Sequence, residues 1–283
     1  MTGGTVVNGR LDSAAAGSID FRVYLPAGYA ESDRRYASLY LLHGRGDSLD
    51  AWQSSIADID RLIDAGQIEP PLVVMIDGRW NNRGSWWTDS HYSGTDPNAG
   101  GPGSFVQTAI TGELVPHIDA AFRTIPAREA RFVGGYSMGG SAALRYVTMH
   151  QEVFSRAIVM SAAIYVPQPP LTSSARDYGA YGVGERLFIG ERFDELNYPA
   201  TLARVDPGLP ISLFIIVGDN EWQHPDPDDA RHDLDFESAT LYNTARRVPG
   251  VTADLRILSG GHDWEFWQRG LLEGFRAILS KDH

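Results

Sequence analysis

The sequence predicts an α/β fold: a mostly parallel central sheet, doubly wound, with helices on both faces. Three observations carry that prediction. Strand-like and helix-like runs alternate along the 283 residues. The runs 72–77 (LVVMID) and 212–217 (SLFIIV) are apolar without polar alternation, as expected of central parallel strands covered on both faces. The segments richest in reactive side chains all follow strand-like runs, and ligands bind at the carboxyl ends of strands in open α/β sheets.

Taken in order, strands are expected at 19–25, 37–43, 72–77, 130–136, 156–162, 212–218 and 253–258. Helices are expected at 49–66, 105–122, 138–150, 237–248 and 264–280. One domain is expected over 1–283, with no internal repeat and no low-complexity linker. Two stretches break the alternation. Residues 79–104 are rich in Trp, Asn and Gly, and residues 164–210 contain Pro167, Pro169, Pro170 and several aromatics. Long loops in a compact domain are commonly functional, so both are expected to overhang the site as pocket walls.

The most informative segment is 134–140, GGYSMGG. It contains Gly-x-Ser-x-Gly between a β-prone run (Arg131, Phe132, Val133) and a helix-prone run that begins at Ser141. A serine on such a strand-to-helix turn sits at a strained corner with its hydroxyl projecting from the top of the sheet. Gly135, Gly139 and Gly140 supply the room for strand and helix to pass closely. Ser137 is therefore the candidate nucleophile.

Residues 39–47 (LYLLHGRGD) end a strand in a Gly-rich turn. In acyl-transfer hydrolases the loop after the third strand donates one backbone N–H to the oxyanion, and the residue after the nucleophile donates the other. Here those donors are Arg45 and Met138. His43 is read as a structural histidine tied to the backbone beside that loop.

Residues 258–267 (LSGGHDWEFW) place His262 on a Gly-rich loop between the last strand and the C-terminal helix. That is the position of a general base in the chain order serine, acid, histidine. The acid should follow the strand 212–218, and in the segment 218–222 (GDNEW) both Asp219 and Glu221 qualify. Glu221, three residues past Gly218, is preferred, with Asp219 the alternative. Its task is to hold the His262 tautomer and stabilise the imidazolium. The acidic run Asp226, Asp228, Asp229, Asp233 and Asp235 matches no standard calcium loop and reads as a solvated loop and helix start. Trp86, Trp87 and Tyr136 are candidate pocket residues, although neighbours in a chain rarely face one cavity. Trp264 and Trp267 share a helix face, which favours core over site.

These pieces, in order, resemble a known family. They are Val23-Tyr24-Leu25-Pro26 with Gly28-Tyr29, Leu41-Leu42-His43-Gly44, Trp52, Val73-Val74-Met75 with Asp77-Gly78, Glu113-Leu114-Val115-Pro116, the 135–140 segment, Gly260-Gly261-His262-Asp263-Trp264 and Trp267. The chain is similar to the esterases that include feruloyl esterases, the esterase D group and the mycolyltransferase antigens of mycobacteria. The resemblance implies an α/β-hydrolase fold, Ser137 as nucleophile, His262 as base, and Arg45 and Met138 as oxyanion donors. It implies an acid shortly after the strand-ending glycine, which favours Glu221. The Pro-containing acidic insert 222–235 departs from the family pattern.

Composition narrows the partners. The formal net charge of −12, with pI near 5.0, argues against nucleic acid and anionic membrane surfaces. With no cysteine there is no disulfide framework and no thiolate site. No apolar run approaches the roughly 20 residues of a membrane span. The N-terminus lacks a basic region followed by an apolar stretch, so a cytoplasmic protein is expected. Seven Trp and twelve Tyr suit an aromatic or carbohydrate ester substrate.

The expected chemistry is acyl transfer through an acyl-enzyme, with no metal or organic cofactor needed. Three alternative readings use the same fold. An acyltransferase of the mycolyltransferase type would use the same residues, and product analysis with an added alcohol separates it. A peptidase on this fold usually carries an extra domain, and little chain precedes residue 19. A non-catalytic hydrolase-fold binding protein commonly lacks a triad member, and here every position is filled.

Overall fold

In a computed structural model of the chain, residues 3–78, 85–224 and 226–280 are described. The elements run β1 (Thr5–Ser13), β2 (Gly17–Leu25), β3 (Ser38–Leu42), α1 (Ile56–Asp64), β4 (Leu72–Ile76), β5 (His91–Tyr92), α2 (Val106–Thr108), α3 (Val115–Ala121) and β6 (Arg131–Tyr136). They continue α4 (Met138–Met149), β7 (Arg156–Met160), β8 (Val183–Gly184), α5 (Gly190–Leu196), α6 (Tyr198–Leu202), β9 (Ile211–Gly218), α7 (Leu234–Ala245), β10 (Val251–Leu258) and α8 (Trp264–Leu279). Eight strands form one sheet in the order β1-β2-β4-β3-β6-β7-β9-β10. The β1–β2 and β2–β4 pairs are antiparallel, and every later pair is parallel. This is the α/β-hydrolase fold.

The apolar runs without alternation are explained by two cores, one on each sheet face. Tyr40 and Leu42 of β3 point into one core, and Leu39 and Leu41 into the other. In β4, Leu72, Val74 and Ile76 face the first core, and Val73 and Met75 the second. Helix α4 (Ala142, Ala143, Tyr146, Val147), Ile118 of α3 and Leu241 of α7 cover the first face. Ile59 and Leu62 of α1 and Phe266, Leu271 and Phe275 of α8 cover the second. Each buried side chain of this kind contributes on the order of 1.5–3 kcal/mol by leaving water.

The parallel register aligns the strand ends that carry the chemistry. Leu42 pairs with Gly135, Tyr136 with Met160, Met160 with Ile216, and Gly218 with Leu258. The residues that follow β3, β6, β7, β9 and β10 therefore emerge along one edge of the sheet.

Several boundaries differ from the sequence expectation. Strand β1 was not expected. It lies at the sheet edge, its residues are mostly exposed or half-buried, and Thr5–Ser13 has no apolar run to mark it. The expected helix 105–122 is interrupted: Ala109–Leu114 is π-helical and α3 follows with Pro116 in its first turn. Proline has no N–H and crowds the carbonyl four residues back, here Gly112, which favours the wider turn. The expected helix 49–66 opens as 3₁₀ over Leu49–Ser55. The expected helix 237–248 begins earlier, at Leu234, and ends at Ala245. The expected strand 156–162 ends at Met160, which frees Ser161 from the sheet. The stretch 164–210 holds α5, α6 and β8, and β8 pairs with β5 of the other excursion. Within 79–104, residues 79–84 lie outside the described residues.

Candidate active site

Ser137 follows β6 and precedes α4, with φ 54° and ψ −119°. A non-glycine residue in this region carries strain of about 1–3 kcal/mol and persists only where its surroundings over-determine it. Here they do. The Ser137 N–H donates to the Met160 carbonyl at 2.9 Å, and its carbonyl accepts from Ser141 N–H at 3.1 Å. A Cβ on Gly139 would lie 2.0 Å from the Leu42 carbonyl oxygen, and one on Gly135 would lie 2.4 Å from that of Gly139. Only glycine fits at either position, so the motif records how tightly strand and helix pass.

His262 comes from the loop between β10 and α8. Asp263 caps α8 by accepting from the Phe266 N–H at 3.0 Å, which fixes where that loop ends. His262 Nε2 lies 3.0 Å from Ser137 Oγ, and Nδ1 lies 2.8 Å from Glu221 Oε2. A carboxylate only accepts, so Nδ1 carries the proton and Nε2 is left to accept from the serine hydroxyl. The Glu221 side chain is 2% exposed and that of His262 is 29% exposed. One end of the line is thus sealed and the other reaches the cavity. Glu221 Oε1 accepts from the Gly218 N–H and from Ser161 Oγ, both at 2.6 Å. These two donors fix the carboxylate in place behind His262.

Asp219 sits elsewhere. Its Oδ1 accepts from the Gly260 N–H at 3.1 Å, and its own N–H donates to the Leu258 carbonyl at 2.9 Å. It ties the β9 loop to the β10 loop at the surface.

Arg45 follows β3 and is exposed, whereas Met138 opens α4 and is buried. The Met138 N–H belongs to the first helical turn and has no partner within the helix. Both residues line the same cavity as Ser137 and His262. That cavity measures about 290 Å³, near the lower end of the ~300–1,000 Å³ range of small-molecule sites. Trp86, Tyr165, Trp222 and Leu234 form its aromatic and apolar walls, and Thr172, Ser173 and Ser174 add hydroxyls. The excursion 164–210 therefore does supply pocket wall.

Two of the residues expected to line the pocket stand behind it. Trp87 is fully buried, packs edge-on against His43 with ring centres 4.9 Å apart, and donates from Nε1 to the His43 carbonyl at 3.1 Å. Trp86 and Trp87 both have positive φ, 48° and 56°, and their carbonyls accept from Arg145 Nη2 and from the Tyr146 hydroxyl. That corner sends the two indoles to different places. Tyr136, 1% exposed, stacks on Trp267 at 4.2 Å and donates its hydroxyl to Asp47. Burial and that hydrogen bond push the Tyr136 phenol well above its ordinary pKa, so it remains a donor. It braces the loop after β3 from beneath.

His43 is wholly buried. Its Nε2 accepts from the Gly78 N–H at 3.0 Å, which leaves the proton on Nδ1 to be donated to the Gly44 carbonyl at 2.7 Å.

Sequence reasoning missed Ser161, which the expected strand 156–162 had absorbed. The carboxyl-end rule that singled out the other four loops would have found it. It also missed His232 and Glu237, a buried pair within and beyond the acidic run. Trp267 is indeed core, yet it also abuts His262 edge-on at 4.9 Å. Among the described residues no cluster of three or more His, Cys, Asp or Glu could hold a metal ion, and no helix is long and apolar enough to cross a membrane.

The family model for esterases matches residues 13–278. The chain belongs to the Esterase family. Within that family it is similar to an esterase of Mycobacterium tuberculosis, at 30% identity over 215 residues. The match covers 72% of this chain and 43% of that protein, so the chain spans less than half of that relative. An endo-1,4-beta-xylanase/feruloyl esterase of Xylanibacter ruminicola is 31% identical over 175 residues, 58% of this chain and 22% of that protein. Among solved structures, a ferulic acid esterase superposes with a TM-score of 0.75 at 23% identity, covering 99% of each chain. That likeness is one of fold.

Proposed function

We propose that this member of the Esterase family is a serine carboxylic-ester hydrolase that works through an acyl-enzyme. The observation that carries the reading is the unbroken line Ser137 Oγ, His262, Glu221, with contacts of 3.0 and 2.8 Å, at a strained serine open to the cavity. His262 Nε2 removes the Ser137 proton as the oxygen attacks the ester carbonyl. Glu221 holds the imidazole by Nδ1 and stabilises the imidazolium without taking its proton. The backbone N–H groups of Arg45 and Met138 hold the oxyanion. His262 then protonates the leaving alcohol. Water, activated by the same imidazole, releases the acid and restores the serine.

The substrate class we propose is a small-molecule or carbohydrate ester with a hydroxycinnamoyl or acetyl group. Trp86, Tyr165 and Trp222 give the cavity flat apolar faces for an aromatic acyl group, and its volume suits a compact one. The feruloyl esterase among the relatives supports the same class. The test is a panel of initial rates on p-nitrophenyl acetate, butyrate and octanoate beside methyl ferulate, with Ser137→Ala as the blank. Turnover of methyl ferulate well above that of the octanoate ester is expected. Cleavage of short p-nitrophenyl esters alone would remove the aromatic acyl group from the proposal. Equal rates with and without Ser137 would remove the serine mechanism.

A further inference from the structure

Beyond the Ser137–His262–Glu221 line lies a further hydrogen-bond relay. Ser161 is the first residue after β7, with φ 44° in the left-handed region. Its N–H donates to the Ile216 carbonyl at 2.8 Å, so the corner is held to the neighbouring strand. The residue is completely buried. Its Oγ meets two groups, Glu221 Oε1 at 2.6 Å and Trp267 Nε1 at 3.1 Å.

The polarity of this relay is fixed by chemistry. An indole N–H can only donate. Ser161 Oγ therefore accepts from Trp267 and must direct its single proton to Glu221. The carboxylate is left with Oε2 for His262. Trp267 is 8% exposed, stacked on Tyr136, and its ring edge meets the His262 ring at 88°. One indole thus touches the histidine with its ring and, through Ser161, the carboxylate behind it.

We infer that Ser161 is a positioning residue for the hydrolase, with Trp267 setting its polarity: the relay Trp267 to Ser161 to Glu221 fixes one carboxylate oxygen and aims the second at His262. This rests on the serine-hydrolase reading above. Without the Ser161 hydroxyl the carboxylate keeps one donor, Gly218 N–H, and the Trp267 N–H is buried with no acceptor. A carboxylate held by one donor can turn, so its second oxygen is no longer fixed opposite His262 Nδ1.

The test measures kcat and KM separately on p-nitrophenyl acetate for Ser161→Ala, Trp267→Phe and the double variant, with melting curves for each. Ser161→Ala is expected to lower kcat about tenfold with little change in KM. Trp267→Phe leaves a smaller aromatic ring without the N–H donor and should cost less. The double variant should be no worse than Ser161→Ala alone, because without the hydroxyl the indole N–H has nothing to orient. Additive losses, or an unchanged kcat in folded Ser161→Ala, would overturn the relay. If Ser161→Ala does not fold, Trp267→Phe decides: an unchanged kcat would overturn it. Ser137→Ala, run alongside, separates the two failures, since activity that survives it sinks the hydrolase mechanism itself.

Discussion

Among the described residues, two histidines are held at Nδ1 by a glutamate with a buried side chain, in nearly the same geometry. His262 Nδ1 lies 2.8 Å from Glu221, and His232 Nδ1 lies 2.9 Å from Glu237. Each glutamate side chain is 2% exposed. The surroundings differ. The His262 side chain is 29% exposed and turns its second nitrogen to Ser137, while that of His232 is 3% exposed. Glu221 has the Gly218 N–H and the Ser161 hydroxyl as further donors. Glu237 has the Val166 N–H at 2.9 Å, and burial lifts its pKa from 4.5 to about 7. The first pair sits at the carboxyl ends of β9 and β10. The second lies behind the pocket wall, where the Tyr165 ring meets His232 edge-on at 5.8 Å. A histidine held by a glutamate is therefore not a catalytic signature. What separates the two is the group at the far nitrogen and the opening to the cavity.

The largest effect that would break this contrast comes from Ser137→Ala. Turnover of p-nitrophenyl acetate should fall at least about 10⁴-fold with an unchanged melting temperature, because members of such a line act as a unit. A folded variant with near-normal turnover would return His262 and Glu221 to the rank of the second pair. Next comes Glu221→Gln, expected to lower kcat about 10²- to 10⁴-fold, since an amide can favour the wrong imidazole tautomer. Asp219→Asn should cost less than about tenfold. Its Oδ1 still accepts from the Gly260 N–H, so the loop tie survives. The reverse order would transfer the acid role to Asp219.

Much of this contrast was legible in the sequence, and the part that was not has a physical reason. Ser137, His262 and the loop after β3 announce themselves because tight backbone geometry demands glycine around them, and glycine is visible in a sequence. The choice between Glu221 and Asp219 was only a preference, because both follow Gly218 and differ in which way the loop turns. Ser161 was hidden by two residues of misjudged strand end; a left-handed corner at a serine leaves no mark. Strand β1 was missed because an exposed edge strand needs no apolar pattern. Trp87 and Tyr136 were misplaced because a sequence does not say which side of a cavity wall an aromatic occupies. His232 and Glu237 sit in or next to a run of aspartates that reads as solvated surface, and what covers them is remote in sequence: the Tyr165 ring meets His232 and the Val166 N–H donates to Glu237.

The smallest effect concerns that second pair. Glu237→Gln should leave kcat on p-nitrophenyl acetate within about threefold, because nothing in it reaches Ser137. Its consequence lies in stability. A carboxyl whose folded pKa, about 7, exceeds its ordinary 4.5 binds its proton more tightly when folded. Its contribution is then fully present below pH 4.5 and is lost as pH rises through about 7. The Val166 N–H and the Arg231 charge work against the shift, and burial outweighs them. Glutamine keeps an oxygen for the Val166 N–H and His232 but has no proton to lose. Melting temperatures taken between pH 4.5 and 7.5 should fall with pH in the unmodified protein more steeply than in Glu237→Gln. Parallel curves would mean that Glu237 is already ionised, and the two pairs would then differ only in what faces the second nitrogen of each histidine.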